Sequence, residues 1–256
     1  MAFLALSCSR VVPWRDEPAN EELNLAFTLE QNLIQLQSVR LDDREGRFIL
    51  GSAAPRTVID PGFALGPFGT HVLQFGQRKT VRIQPTPLDL QGVADGIVGI
   101  EPWGNRAISI DYRSGLVTVQ KEGIRTGYME IFRYPAEPMI EVHVNGRAVA
   151  AIVDTTSPDT LVLPGSVHGR GTANVRIGRT DFGPMDVQYA NVTQARVGNR
   201  LLSRYLVTID YGRRMVGLWR DPRIPLEATS PPAVASSRTS PRRPEDSTTR
   251  FRADAP

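Results

Sequence analysis

The sequence predicts an all-β protein made of two homologous β lobes, with very little helix. Three observations lead to this fold class. Segments that alternate apolar and polar residues recur along the chain and are bounded by Gly, Asn-Gly or Pro. Helical periodicity is scarce, and one stretch of about a hundred residues occurs twice. At 256 residues the chain is long enough to bury a substantial core.

The alternating segments predict the strands. Turn residues separate these segments, as expected for hairpins and half-buried strands. In chain order they are LIQLQSVRL, RFILG, TVRIQ, AISIDY, LVTVQ, MIEVHV, AIVD, VRIG, MDVQYANV, LVTIDY and MVGLW. Single helical turns are expected only at GIEPWGNR and GNRLLSRY.

An internal repeat sets the domain organisation. The segment 39–62 aligns without a gap with 142–165, since 142 − 39 and 165 − 62 both equal 103. A second block, VGIEPWGNRAISIDYRSGLVTV, aligns with VGNRLLSRYLVTIDYGRRMVGL and sets Asp111 against Asp210. Two blocks in the same order make a chance match improbable. We therefore expect one lobe over 23–120 and its homologue over 121–220.

The two ends differ in composition from the lobes. Residues 221–256 are rich in Pro, Ser, Thr and Arg and predict a disordered tail. Residues 1–22 read as an irregular N-terminus or the remnant of a signal. If the true start lies upstream, Cys8 in MAFLALSCS becomes the lipidated residue of an exported protein; otherwise the terminus is frayed and the protein cytoplasmic.

Several function classes lack support in the sequence. No apolar run reaches the roughly 20 residues of a membrane-spanning helix. The net charge of +3 lies mostly in the tail, so binding of nucleic acid is not expected. His71, His143 and His168 lack the spacing of metal ligands, and no metal or cofactor is expected. The segment GRGTANVRIG lacks the Lys and Ser/Thr of a phosphate-binding loop.

The motifs of both copies resemble those of one enzyme family. In IVDTTSPDTLVLP, two apolar residues precede Asp-Thr, and a Thr, two apolar residues and a Pro follow. Together with ADGIVGIEPW, ARVGNRLLSRY, ISIDYRSGLVTV and VTIDYGRRMVGL, this stretch resembles the retropepsin-like and pepsin-like aspartic proteases over nearly all of residues 33–219. The resemblance implies a bilobal acid-protease-like fold, in which each lobe offers one Asp-Thr-Gly loop to a shared cleft.

That family needs two carboxylates for its chemistry. Two carboxyl groups held close together share a proton, so one acts as general base on water and the other as general acid. The Thr or Ser beside each Asp ties the lobes together, and the Gly allows close passage of the backbone.

The two loops meet this requirement only in part. In the second lobe Asp154 holds the catalytic position and Thr155 the tying position, while Thr156 replaces the Gly. In the first lobe the alignment places Gly51, Ser52 and Ala53 opposite them, so the first aspartate is missing. Asp60 in IDPG is an alternative second acid, but that register breaks the gapless repeat and puts Pro where a hydroxyl is needed. The repeat instead places Asp60 after the next strand, opposite Leu163, as an ordinary solvated carboxylate.

The expected function follows from this broken pair. We expect a catalytically degenerate monomer that binds extended peptide or protein in the interlobe cleft by strand addition. The alternatives are an active aspartic endopeptidase that uses Asp154 with an unidentified second acid, and a homodimer in which two second lobes pair. Asp111 and Asp210 are expected to be structural, and VHGRGT is a candidate for a small flap.

Overall fold

The protein is almost entirely β in its computed structural model, which describes residues 22–64, 69–77, 79–120, 122–124, 127–224 and 226. The predicted all-β class is confirmed. Among the described residues the single α-helix is α1 (Asn199–Leu202). Cys8 and the tail from residue 227 onward lie outside the described residues, as do their predicted roles.

The strands fall into two series that follow the two copies of the repeat. The first half contains β1 (Leu23–Glu30), β2 (Leu33–Leu36), β3 (Val39–Leu41), β4 (Arg44–Glu45), β5 (Phe48–Leu50), β6 (Val58–Ile59), β7 (His71–Phe75), β8 (Lys79–Ile83), β9 (Thr86–Pro87), β10 (Gly96–Val98), β11 (Ala107–Asp111) and β12 (Leu116–Gln120). The second half contains β13 (Glu130–Arg133), β14 (Met139–Val144), β15 (Arg147–Val153), β16 (Leu161–Pro164), β17 (Gly169–Ile177), β18 (Thr180–Ala190), β19 (Ala195–Val197), β20 (Leu206–Asp210) and β21 (Met215–Trp219).

Each predicted strand segment contains a strand. The two segments expected to form single helical turns differ in extent. GNRLLSRY forms α1, whereas GIEPWGNR forms turns in which the Trp103 and Gly104 amides donate to the Ile100 carbonyl. The segment GIEPWGNR therefore forms one turn and does not continue as a helix. Gly104 adopts a φ of 59°, which ends the helical conformation after a single turn.

A central antiparallel sheet joins the two halves. Its strand order is β13-β21-β20-β11-β12-β1, and it continues through β2, β5, β10, β6 and β9. At its middle β11 pairs with β20, with Ser109 opposite Thr208. Their hydroxyl oxygens lie 2.6 Å apart. Because these residues are equivalent in the repeat, the two halves are related here by an approximate two-fold axis.

The strand pairings of the first half recur in the second. Strand β5 runs parallel to β10 as β15 runs parallel to β19, and Ile49↔Ile97 corresponds to Ile152↔Arg196. The second half closes into a barrel of β14-β15-β19-β16-β18-β17, while β3, β4, β7 and β8 form a separate four-stranded sheet. In both halves this arrangement places the loop after β5 or β15 at the end of a buried strand.

One large hydrophobic cluster contains residues of both halves. Trp103 belongs to this cluster, is 2% exposed, and has its ring centroid 5.0 Å from that of Phe75. Residues 221–224, the start of the segment predicted to be disordered, form a turn in which the Ile224 amide donates to the Asp221 carbonyl. In the described part of the chain, no helix has both the length and the apolar character needed to span a bilayer.

Candidate functional site

The loops that follow β5 and β15 meet in a reciprocal set of hydrogen bonds. The Ser52 amide donates to Thr155 Oγ1 at 2.9 Å, and the Thr155 amide donates to Ser52 Oγ at 3.0 Å. Each hydroxyl also donates to a backbone carbonyl of the other half: Ser52 to Val153 at 2.7 Å and Thr155 to Leu50 at 2.6 Å. Both side chains are fully buried. We call the two loops, 51–53 and 154–156, together with Ile97 and Arg196, the paired-loop site.

Three further side chains support the two loops through hydrogen bonds. Tyr211 donates its hydroxyl to the Ser52 carbonyl at 3.0 Å, and Asn199 donates its amide to the Thr155 carbonyl at 2.7 Å. Tyr112 donates to Asn199 Oδ1 at 2.8 Å. Burial raises the pKa of both Tyr112 and Tyr211, so both hydroxyls remain protonated donors at neutral pH. These bonds fix the backbone of the paired-loop site on each side.

Asp154 is buried and fully engaged by donors. Its side chain is 4% exposed. Oδ1 accepts the Thr156 amide at 2.9 Å and the Thr156 hydroxyl at 2.6 Å. Oδ2 accepts Nη1 of Arg196 at 2.7 Å. None of the described hydrogen bonds of Asp154 involves a second carboxyl group.

Arg196 is the functional residue that sequence reasoning missed. It lies in β19, opposite Ile152 of β15, and its side chain is 44% exposed. Its equivalent in the first half is Ile97, because both residues immediately precede the apolar-Gly pair of VG. An arginine where the other copy has an apolar residue was the one signal that could have revealed it.

The position opposite Asp154 is occupied by hydrocarbon. A Cβ added to Gly51 would lie 2.6 Å from Cγ2 of Ile97, 3.0 Å from Cβ of Ala54 and 3.4 Å from Cγ2 of Thr156. Such distances leave no room for a longer side chain unless Ile97 moves. The two halves thus carry different pairs at equivalent positions: Asp154 with Arg196, and Gly51 with Ile97.

Asp60 and Asp154 accept hydrogen bonds from different donors. It follows β6, as the repeat predicted, and is partly buried. Oδ1 accepts the Gly62 amide and Oδ2 accepts the Leu90 amide, each at 2.8 Å. Both donors belong to the first half, and neither is among the donors to Asp154. The carboxylate of Asp60 therefore fastens its own loop, rather than being an ordinary solvated group.

Asp111 and Asp210 act in turns. Each ends a strand of the central sheet and accepts an amide of the following turn, from Arg113 at 3.0 Å and from Arg213 at 2.8 Å. Buried Asp210 also accepts the Ile124 amide at 3.3 Å. These bonds fit the structural role expected for both acids.

The segment VHGRGT contributes mainly to a strand. Its last four residues begin β17 and pair with β18, with Gly169 opposite Tyr189. The structure therefore places most of the candidate flap within a regular hairpin.

A separate open groove of about 550 Å³ lies between β13 and the β14–β15 hairpin. None of its lining residues belongs to the paired-loop site. Two of the three histidines lie against single acids: His71 Nδ1 is 2.6 Å from Asp42 Oδ2, and His143 Nε2 is 3.0 Å from Glu141 Oε1. No cluster of three or more His, Cys, Asp or Glu side chains suited to a metal ion occurs in the described part of the chain.

Comparisons with known proteins gave no match, either among protein-family models or among curated proteins. The chemistry of the site therefore rests on its geometry. That geometry is one buried carboxyl group held by an arginine and a threonine. None of the three hydrogen bonds described for this group involves the second carboxyl group that acid–base catalysis on a peptide would require.

Proposed function

We propose that the chain is a catalytically inactive, aspartic-protease-like protein that binds an extended peptide or protein segment across the paired-loop site. The observation that carries this proposal is the 2.7 Å ion pair between Asp154 and Arg196. In an active site of that family the carboxylate would face a second carboxyl group and a water molecule. Here its second oxygen faces a guanidinium.

The absence of catalysis follows from charge and space. Arg196 donates to Oδ2 of Asp154, so a guanidinium occupies the oxygen that would have to take a proton from water. Thr156 donates twice to the other oxygen, so both oxygens of Asp154 are engaged by donors of the protein. Opposite, the methyl groups of Ile97 and Thr156 surround the place where a side chain of residue 51 would start. A carboxylic acid at position 51 would have to displace the methyl group of Ile97.

The capacity to bind peptide is supported by the site's mixed exposure. Ala53, Ile97 and Thr156 are half-buried, and Arg196 is exposed. A rigid floor with partly exposed apolar and charged groups suits an extended chain, which supplies backbone hydrogen bonds and alternating side chains. The reciprocal bonds beneath keep this floor from rearranging.

The same bonds support a monomer. The hydroxyl of Thr155 already bonds to Ser52 and to the Leu50 carbonyl of its own chain. A homodimer of second halves would have to replace Ser52 with a second Thr155, breaking these buried bonds.

Photo-crosslinking tests the proposal. The full chain would be mixed with a pool of randomised, fluorescein-labelled decapeptides that carry a benzophenone at a central position, and the adducts would be mapped by mass spectrometry. We expect adducts at residues 51–54, 154–157 and 194–197. Adducts confined to the groove between β13 and the β14–β15 hairpin, or none, would contradict the proposal. As a matched control, Ala148→Phe, which fills that groove, should leave crosslinking at the paired-loop site unchanged.

A further inference from the structure

The guanidinium of Arg196 is presented to solvent by a buried anchor. Asp154 beneath it is held by three hydrogen bonds and is almost inaccessible. One nitrogen of Arg196 carries the bond to Asp154, while 44% of the side chain is exposed. A guanidinium has five N–H donors arranged in a planar fork, so one bond leaves donors that face outward.

We propose that Arg196, positioned by Asp154, binds a carboxylate of the peptide that occupies the paired-loop site. This inference rests on the proposed function. It names the chemistry of the ligand, which is a carboxylate from either a chain terminus or an Asp or Glu side chain. Asp154 is then a positioning residue: the acid that the family uses for catalysis here orients a cation.

The bond to Asp154 preorganises Arg196 for binding an anion. An exposed arginine must lose rotamer freedom when it binds an anion, which weakens the contact. The bond to buried Asp154 restrains Arg196 before the ligand arrives. The fork of a guanidinium matches the two oxygens of a carboxylate, and charge-assisted bonds of this kind are among the strongest hydrogen bonds in proteins.

The side of the paired-loop site that carries Ile97 is apolar, and this difference from the Arg196 side sets the direction in which a peptide binds. Ile97, the counterpart of Arg196 across the approximate two-fold axis, packs against a cluster of Leu33, Ile49 and Ala94, with Leu90 at its edge. A peptide that crosses the paired loops therefore meets hydrocarbon on one side and a cation on the other. Only one chain direction brings an apolar residue to Ile97 and a carboxylate to Arg196.

Binding of four labelled octapeptide pools tests the inference. All pools lack other acidic residues and have a fixed central Leu. One pool ends in a C-terminal carboxylate and its match in an amide; the other two are amides with an internal Glu or an internal Gln. By fluorescence anisotropy the wild-type chain should bind at least one acidic pool about tenfold more tightly than its neutral match. The pool with the preference identifies the source of the carboxylate.

Four variants separate the residue roles. R196Q should abolish the preference, but it leaves Asp154 buried without its partner and can destabilise the fold. The double variant D154N/R196Q removes both charges, so it should fold and bind acidic and neutral pools equally. D154N keeps the arginine but weakens its anchor, so the preference should fall without disappearing. R147Q, which removes an exposed arginine at the β14–β15 turn, is the matched control and should keep the full preference.

The outcomes separate this inference from the proposed function. If the wild-type chain binds acidic and neutral pools equally, with crosslinks at the paired loops, the carboxylate receptor is refuted and peptide binding stands. The receptor is equally refuted if D154N/R196Q retains the preference. If no pool binds, both proposals fail.

Discussion

Substitutions at positions 51 and 97 test, through the free energy of unfolding, whether Ile97 occupies the space next to Gly51. In G51A the new Cβ lies 2.6 Å from Cγ2 of Ile97. Overpacking of this kind costs about 1–3 kcal/mol in the free energy of unfolding. The backbone at Gly51 does not have a positive φ, so the substitution adds no backbone strain. I97A alone removes half-buried methyl groups, for which we expect a loss of about 1–2 kcal/mol, below the range for a fully buried isoleucine.

The double variant should cost less than the sum of the two single variants. In G51A/I97A the contact with Cγ2 is gone, so the new methyl fills space that Ile97 vacated. We predict a favourable coupling of about 1–3 kcal/mol, measured by urea unfolding and followed by tryptophan fluorescence, to which buried Trp103 contributes. G169A is the matched control, because nothing lies within 4 Å of its added Cβ, and it should be additive with I97A. Additivity of G51A with I97A would refute the claim that Ile97 occupies the place of a side chain at position 51.

Two further changes test the frame of the site. S52A leaves the Val153 carbonyl and the Thr155 amide buried without their partner. We expect the free energy of unfolding to fall by about 2–4 kcal/mol in urea titrations. A loss below about 0.5 kcal/mol would contradict the role of the reciprocal bonds. Burial raises the pKa of Glu101 despite the bond from the Thr57 amide. The folded state thus holds this proton to higher pH than the unfolded state, and Glu101 reduces stability as pH rises through its folded pKa. E101Q should therefore gain stability relative to the wild type between pH 4 and 7, and parallel stability curves would argue against this.

The strands and the register that sets Gly51 against Asp154 could be predicted from the sequence because they depend on local pattern and on the repeat. Alternation with a period of two marks half-buried strands directly. The gapless alignment fixed Gly51 opposite Asp154, and the hydrogen bonds between Ser52 and Thr155 agree with that register. Strands of two or three residues, such as β6, β10 and β19, are too short to show a period.

The ion pair was beyond sequence reasoning because it depends on long-range pairing. Arg196 reaches Asp154 only because β19 runs parallel to β15 and sets residue 196 beside residue 152. Asp60 likewise bonds to the Leu90 amide, thirty residues along the chain. Side chains on neighbouring parallel strands are brought together by a crossover, which leaves no local signature.

Peptide hydrolysis tests the central claim most directly. The full chain and D154N would each be incubated with the randomised decapeptide pool between pH 3 and 8, and new termini would be counted by mass spectrometry. Because Thr156 and Arg196 engage both oxygens of Asp154, and the repeat sets Gly51 where a second acid would stand, we predict that the wild-type chain yields no more new termini than D154N at any pH. Cleavage by the wild-type chain that disappears in D154N would contradict the account and establish an active aspartic endopeptidase.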